Sequence, residues 1–136
     1  MLELAIAAAL MQAAPDPCNA VDQAPPARCP AWRSIMRDDA VEIFIDPRSV
    51  RVADNRFEFR LRMVYAAVRQ EGMRSGVSAA SADCARRTMT VGYSRVFDSH
   101  GGLVAQGDPT GQEAEPNQIP DEGPFAALLT EFCPRR

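Results

Sequence analysis

The chain has 136 residues, no lysine and a single histidine. It contains no G-x-S-x-G, so there is no nucleophile elbow, and a Ser-His-Asp triad would have to use His100 as its base. A lone histidine beside Gly101-Gly102 reads more simply as a solvated turn residue. Neither G-x-x-x-x-G-K-[ST] nor G-x-G-x-x-G occurs, so no phosphate cradle is supported. Without C-x-x-C there is no thioredoxin-like redox motif, and the cysteine gaps are too wide for the closely spaced pairs of a structural zinc site. Asp38-Asp39 has no D-x-D-x-D-G loop around it, and it reads as solvated turn acids, as do Glu113 and Glu115. No catalytic residue, metal ligand or cofactor is therefore expected. No apolar run reaches the ~20 residues of a spanning helix, so no transmembrane segment is expected. The net charge of -3 is too mild to draw the chain to nucleic acid. The missing lysine fits a GC-rich bacterial genome more simply than a binding need.

What is present is a set of four cysteines, Cys18, Cys29, Cys84 and Cys133, behind an apolar stretch. Residues 1–14 read MLELAIAAALMQAA, an imperfect signal peptide. Leu4 to Met11 form its apolar centre, and Ala13 and Ala14 are small enough to end it. Glu3 stands where Lys or Arg is usual, and no clean A-x-A precedes the cleavage point. The expectation is export to the periplasm, the cell surface or the medium. In such an oxidising compartment an even number of cysteines forms disulfides. Cys18 follows Pro-Asp-Pro, which lacks the small apolar residues of a lipobox, so lipidation is not expected. Four cysteines allow three connectivities. Joining Cys18 to Cys29 would close a short loop, for about 3 kcal/mol. Joining Cys84 to Cys133 would close a loop of some fifty residues, for about 4 kcal/mol.

Residues 15–30 hold five of the eleven prolines. Proline fixes φ and lacks a donor N–H, so this stretch reads as an irregular arm rather than a helix or central strand. From Ala31 the pattern turns to β. Trp32–Met36 reads as a first strand. Val41–Asp46 reads as a second, broken by Asp46-Pro47-Arg48-Ser49. The clearest strand follows the Ala53-Asp54-Asn55 turn. Phe57, Phe59, Leu61, Met63 and Tyr65 alternate with Glu58, Arg60, Arg62, Val64 and Ala66, giving one core face and one solvated face. Val77–Asp83 and Thr88–Phe97 supply two more strands. The last places Met89, Val91, Tyr93 and Phe97 on one face, with Gly92 marking a bulge or close approach. Tyr65 and Tyr93 are expected in the core. Leu103–Ala105 adds a short strand, and Gln106–Gln118 reads as a polar surface loop. The C-terminus is a helix. Pro124 suits its first turn, and Phe125, Leu128, Leu129 and Phe132 form one apolar stripe that must bury against the sheet. The fold class is α+β: an antiparallel sheet with one C-terminal helix packed on it, stapled by disulfides. The domain plan is 1–14 leader, 15–30 arm and 31–136 folded domain.

From Arg28 to Arg95 thirteen arginines face eight acids, while from Val96 to Arg136 seven acids face two arginines. Arg60 and Arg62 share the outward face of the best strand. With Arg74, and with Arg69 and Arg95 nearby, they are candidate partner-binding residues. The simpler reading is that these charges protect the sheet from unwanted pairing. The methionines and aromatics (Met63, Met89, Phe59, Phe97) also permit a small hydrophobic ligand between sheet and helix, though such residues more often build a dry core.

Several segments resemble the surface-adhesin protein E family. They are Trp32, Phe44-Ile45-Asp46-Pro47 with Ser49-Val50, Asp83-Cys84, the Tyr93 strand, the Asp98–Gly102 turn, and Ile119-Pro120 through Phe125, Leu128-Leu129 and Cys133. Together they span Ala31 to Cys133. The resemblance implies a small exported α+β domain with a sheet-to-helix disulfide, which assigns Cys84–Cys133 and leaves Cys18–Cys29 by elimination. The arm itself departs from the family pattern. The family is named for adhesive members that bind host matrix proteins. The function expected is therefore a non-enzymatic, exported binding domain of the bacterial envelope, adhesin-like, with an unknown protein or envelope component as partner. The alternative is a periplasmic binder of a small hydrophobic or envelope ligand. A hydrolase is the weakest reading, because no nucleophile and base can be paired.

Overall fold

The alternating segments form strands that pair strictly with their neighbours along the chain, in a computed structural model that describes residues 14–134. Residues 1–13 of the leader lie outside the described residues. The strands are β1 (Arg33–Arg37), β2 (Val41–Ala53), β3 (Arg56–Tyr65), β4 (Ser75–Asp83), β5 (Thr88–Phe97) and β6 (Leu103–Gly107). They lie in the order β1-β2-β3-β4-β5-β6, all antiparallel. A two-residue β7 (Asn117–Gln118) also pairs with β5. The segment expected as a plain surface loop thus ends in the sheet, and the Ile119 N–H donates to the Arg87 carbonyl at 2.8 Å.

Among the described residues the one α-helix, α1 (Pro124–Phe132), begins on proline as its sequence requires. Its stripe packs on one sheet face. Ile43, Ile45, Phe57, Phe59 and Leu61 form a single buried cluster with Ala80, Ala82, Ile119, Ala126, Leu128 and Leu129. The Phe57 ring lies 5.5 Å from those of both Phe59 and Phe132. Cys84 bonds Cys133, tying β4 to the helix end. Beside it the Arg33 guanidinium donates to both Glu131 carboxylate oxygens, at 3.0 and 2.6 Å. This pairing holds the carboxyl below its usual range.

Two bulges correct the sequence reading. Asp46-Pro47-Arg48-Ser49 does not end β2. Pairing runs to Asp46↔Arg60 and resumes at Arg51↔Glu58, so extra residues loop out of one continuous strand. Proline can sit there because the bulge asks no ladder N–H of it. The Ser49 hydroxyl replaces the lost ladder acceptor, taking the Arg60 N–H at 2.8 Å and donating to the Asp46 carbonyl at 2.7 Å. The second bulge is in β5, where Ser78↔Ser94 is followed by Ala80↔Val91. The extra residue at Gly92-Tyr93 flips the strand's phase. Tyr93 is therefore exposed rather than core, and its hydroxyl donates to Gln106 at 2.8 Å. Phe97 lands on the face opposite Met89 and Val91.

That opposite face is where the arm goes. Cys18 bonds Cys29, and the clasped arm buries Asn19 and Ala20 near Ser75, Val77 and Phe97. Phe97 is 1% exposed and Ser75 is 0% exposed. The Asp16 N–H donates to Gly101 O at 3.0 Å and the Val21 N–H to Ser99 O at 2.9 Å. His100, expected as a solvated turn residue, is exposed, with Nδ1 2.9 Å from Asp22 Oδ2 of the arm. Gly101 holds φ +85, and a Cβ there would collide with the Asp16 carbonyl. Gly101→Ala is therefore expected to cost about 1–3 kcal/mol and to release the arm before the sheet. Hydrogen exchange reads this directly: the Asp16 and Val21 amides should lose protection while β3 keeps its own. Unchanged protection at both would show that the arm is not seated on this turn.

Candidate functional site

Register decides which side chains share the outer face. Glu58, Arg60, Arg62 and Val64 of β3 lie there with Ser75, Val77, Ala79 and Ser81 of β4. Past the β5 bulge, Arg95 and Phe97 join them. The arm covers only the Ser75–Val77–Phe97 end of this face. The rest is an open groove of about 480 Å³ lined by Ser49, Arg51, Glu58, Arg60, Ala79, Ser81, Thr90 and Gly92, with Phe59 and Ala80 beneath. The proline bulge of β2 forms its wall. The groove exists because the floor residues Ala79, Ser81, Thr90 and Gly92 carry small side chains. A second, smaller cavity of about 160 Å³ lies between arm and sheet, lined by Arg60, Arg95, Trp32, Phe97 and arm residues. Arg60 lines both.

The three arginines singled out from sequence meet different fates. Arg60 is exposed at the junction of the two cavities. Arg62 shares its face but is half-buried, with its guanidinium 5.9 Å from the Phe44 ring centre. Its Nε is buried without a hydrogen-bond partner. Burial pushes its pKa down from the ordinary arginine value, because the charged form loses hydration. Arg74 lies elsewhere. Its Nε donates to the Tyr65 carbonyl at 2.9 Å, and it lines a separate groove with Arg37, Asp38, Asp39 and Glu42. Arg69 is spent against the Tyr65 ring at 4.7 Å. Arg95, only a neighbour in the sequence reading, stands with Arg60 instead. The β5 bulge decides this, and glycine within an alternating strand was its one local sign.

Asp38 caps its own turn, accepting from the Ala40 and Val41 N–H groups at 2.7 and 2.9 Å, and these bonds lower its pKa. Among the described residues no cluster of three His, Cys, Asp or Glu could hold a metal ion, and no helix is long and apolar enough to cross a membrane. The outer face offers guanidinium groups beside a floor of small residues on a stapled scaffold.

A family model described as surface-adhesin protein E matches residues 32–134. The fold is similar to crystal form II of Haemophilus influenzae protein E, with a TM-score of 0.52 and 16% identity, covering 82% of this chain and 94% of that one. It is also similar to protein E from non-typeable Haemophilus influenzae, with a TM-score of 0.50 and 16% identity over 79% of each chain. At that identity the likeness is one of fold. No curated protein matches the chain.

Proposed function

The chain belongs to the surface-adhesin protein E family, and from that premise we propose that it is a non-enzymatic, exported binding domain of the bacterial cell envelope, acting by adhesive contact. The observation that supports this is the outer sheet face. It presents an open groove with unburied charge, while the opposite face is closed by α1 and the core. One disulfide clasps the arm and the other ties the end of α1 to β4. Such a scaffold presents a surface at low ordering cost, which favours binding by contact. The second reading, a small hydrophobic ligand held between sheet and helix, draws no support from the packing. Ile45, Phe57, Leu128 and Leu129, each at most 4% exposed, already fill that space. Met63 and Met89 pack against the same cluster.

The test is attachment. Beads carrying the oxidised domain are expected to bind wells coated with host matrix protein or with outer-membrane fragments, saturably. Beads carrying reduced and alkylated protein should bind no more than bare beads. Attachment by the oxidised domain no better than bare beads on every coating would remove the adhesive reading.

A further inference from the structure

We propose that the arginine-lined cleft of the outer sheet face seats an acidic, extended peptide segment of a partner protein. This rests on the binding-domain reading above and names what that face would hold.

Arg60 lines both outer-face cavities, the larger of which also holds Arg51 and the smaller Arg95. Among the described residues the only arginine–carboxylate salt bridge is Arg33–Glu131, so neither Arg60 nor Arg95 has a carboxylate partner within salt-bridge distance. Arg62, on the same face, is stranger. A half-buried guanidinium with an unpartnered buried Nε pays for its desolvation without a counter-charge. Arg60 and Arg62 of β3 and Arg95 of β5 share one face on either side of β4, and none is salt-bridged. Asp46, opposite Arg60, takes the Arg48 N–H, and Asp16 takes Cys18 N and Asn19 Nδ2, which leaves the guanidiniums open to an anionic ligand.

The form of the ligand follows from the rest of the cleft. The larger groove exposes no aromatic ring, since Phe59 is 3% exposed, so it offers no platform for stacking a sugar. Its floor of Ala79, Ser81, Thr90 and Gly92 lets a chain with small side chains lie flush. The β3–β4 and β4–β5 ladders flank it, so recognition is by side chains. Guanidinium forks fit carboxylates bidentately. Glu58, the one carboxylate in the larger groove, opposes a uniformly charged polyanion but accepts a peptide N–H.

Fluorescence anisotropy tests this with a fluorescein-labelled (Glu-Gly)5 peptide, a (Lys-Gly)5 peptide and a heparin octasaccharide. The proteins are the oxidised wild type, R60E/R95E, R60Q/R95Q and R37E, the last changing charge in another groove. Thermal melts of all four confirm folding. The acidic peptide is expected to bind the wild type and R37E saturably and to weaken with salt. R60Q/R95Q should lose about tenfold in affinity and R60E/R95E more, and the basic peptide should not bind. Three results would overturn the proposal: no binding of the acidic peptide by the wild type, equal binding by R60E/R95E, or Arg60- and Arg95-dependent binding of heparin alone. If the acidic peptide fails while wild-type beads still attach to coated wells, the adhesive reading stands and only this assignment falls.

Discussion

Phe57→Ala is expected to destabilise the domain by about 4 kcal/mol, a large share of the roughly 5–15 kcal/mol typical of native domains. The side chain is 1% exposed. It is where β3 meets α1, its ring 5.5 Å from both Phe59 and Phe132. Truncation removes the transfer energy of a ring and leaves a cavity whose walls cannot close. The sheet backbone is fixed by pairing on both sides, and the helix is fixed by its disulfide. Phe57→Leu keeps most of the volume and should cost no more than about 1.5 kcal/mol. Urea unfolding of the oxidised protein reads both, as a lowered midpoint at unchanged slope. A loss under about 1 kcal/mol for the alanine variant would mean that helix and sheet do not form the core.

Replacing Cys84 and Cys133 together by alanine should cost about 4 kcal/mol, from the chain entropy of a loop spanning 49 residues. Without the staple, α1 is held by its stripe and by the Arg33–Glu131 pair. Both members of that pair are about two-fifths exposed, so it adds under about 1 kcal/mol. The double variant should melt far below the wild type and expose α1 to exchange first. Removing Cys18 and Cys29 should instead loosen the arm and leave β3 protected, because that bridge spans only 11 residues. The Phe57 and Cys84 substitutions act on the same interface, so their costs should not add. A Cys84/Cys133 variant as stable as the wild type would show that the helix needs no tether.

Much of the sheet was legible because its evidence is local. β3 announces itself through ten residues of unbroken alternation, and β5 runs from Thr88 to Phe97 as the pattern predicts. The helix was legible through Pro124 and a stripe at helical spacing. The errors fall where a strand departs from simple pairing. Pro47 reads as a strand end because proline lacks a donor. Only the partner strand reveals that Ser49 supplies the missing acceptor for Arg60. Tyr93 reads as core because alternation is counted along one strand, and one inserted residue at Gly92-Tyr93 reverses it. The same phase reversal sends Phe97 under the arm and Arg95 beside Arg60. Arg74 reads as part of the same basic patch as Arg60, yet the β3–β4 turn carries it to another groove.

The sequence by itself determined the strand-rich composition, the apolar stripe of the helix, the irregular proline arm and the absence of the familiar catalytic and metal motifs, since each follows from residue type or from a period of a few positions. The tertiary structure alone decided that the arm lies across the outer face, that Gly101 must be glycine to let it, and that Arg60 and Arg95 rather than Arg74 flank one cleft. Those outcomes depend on the register between strands and on contacts between residues tens of positions apart. A one-residue bulge can reverse them without changing any local propensity.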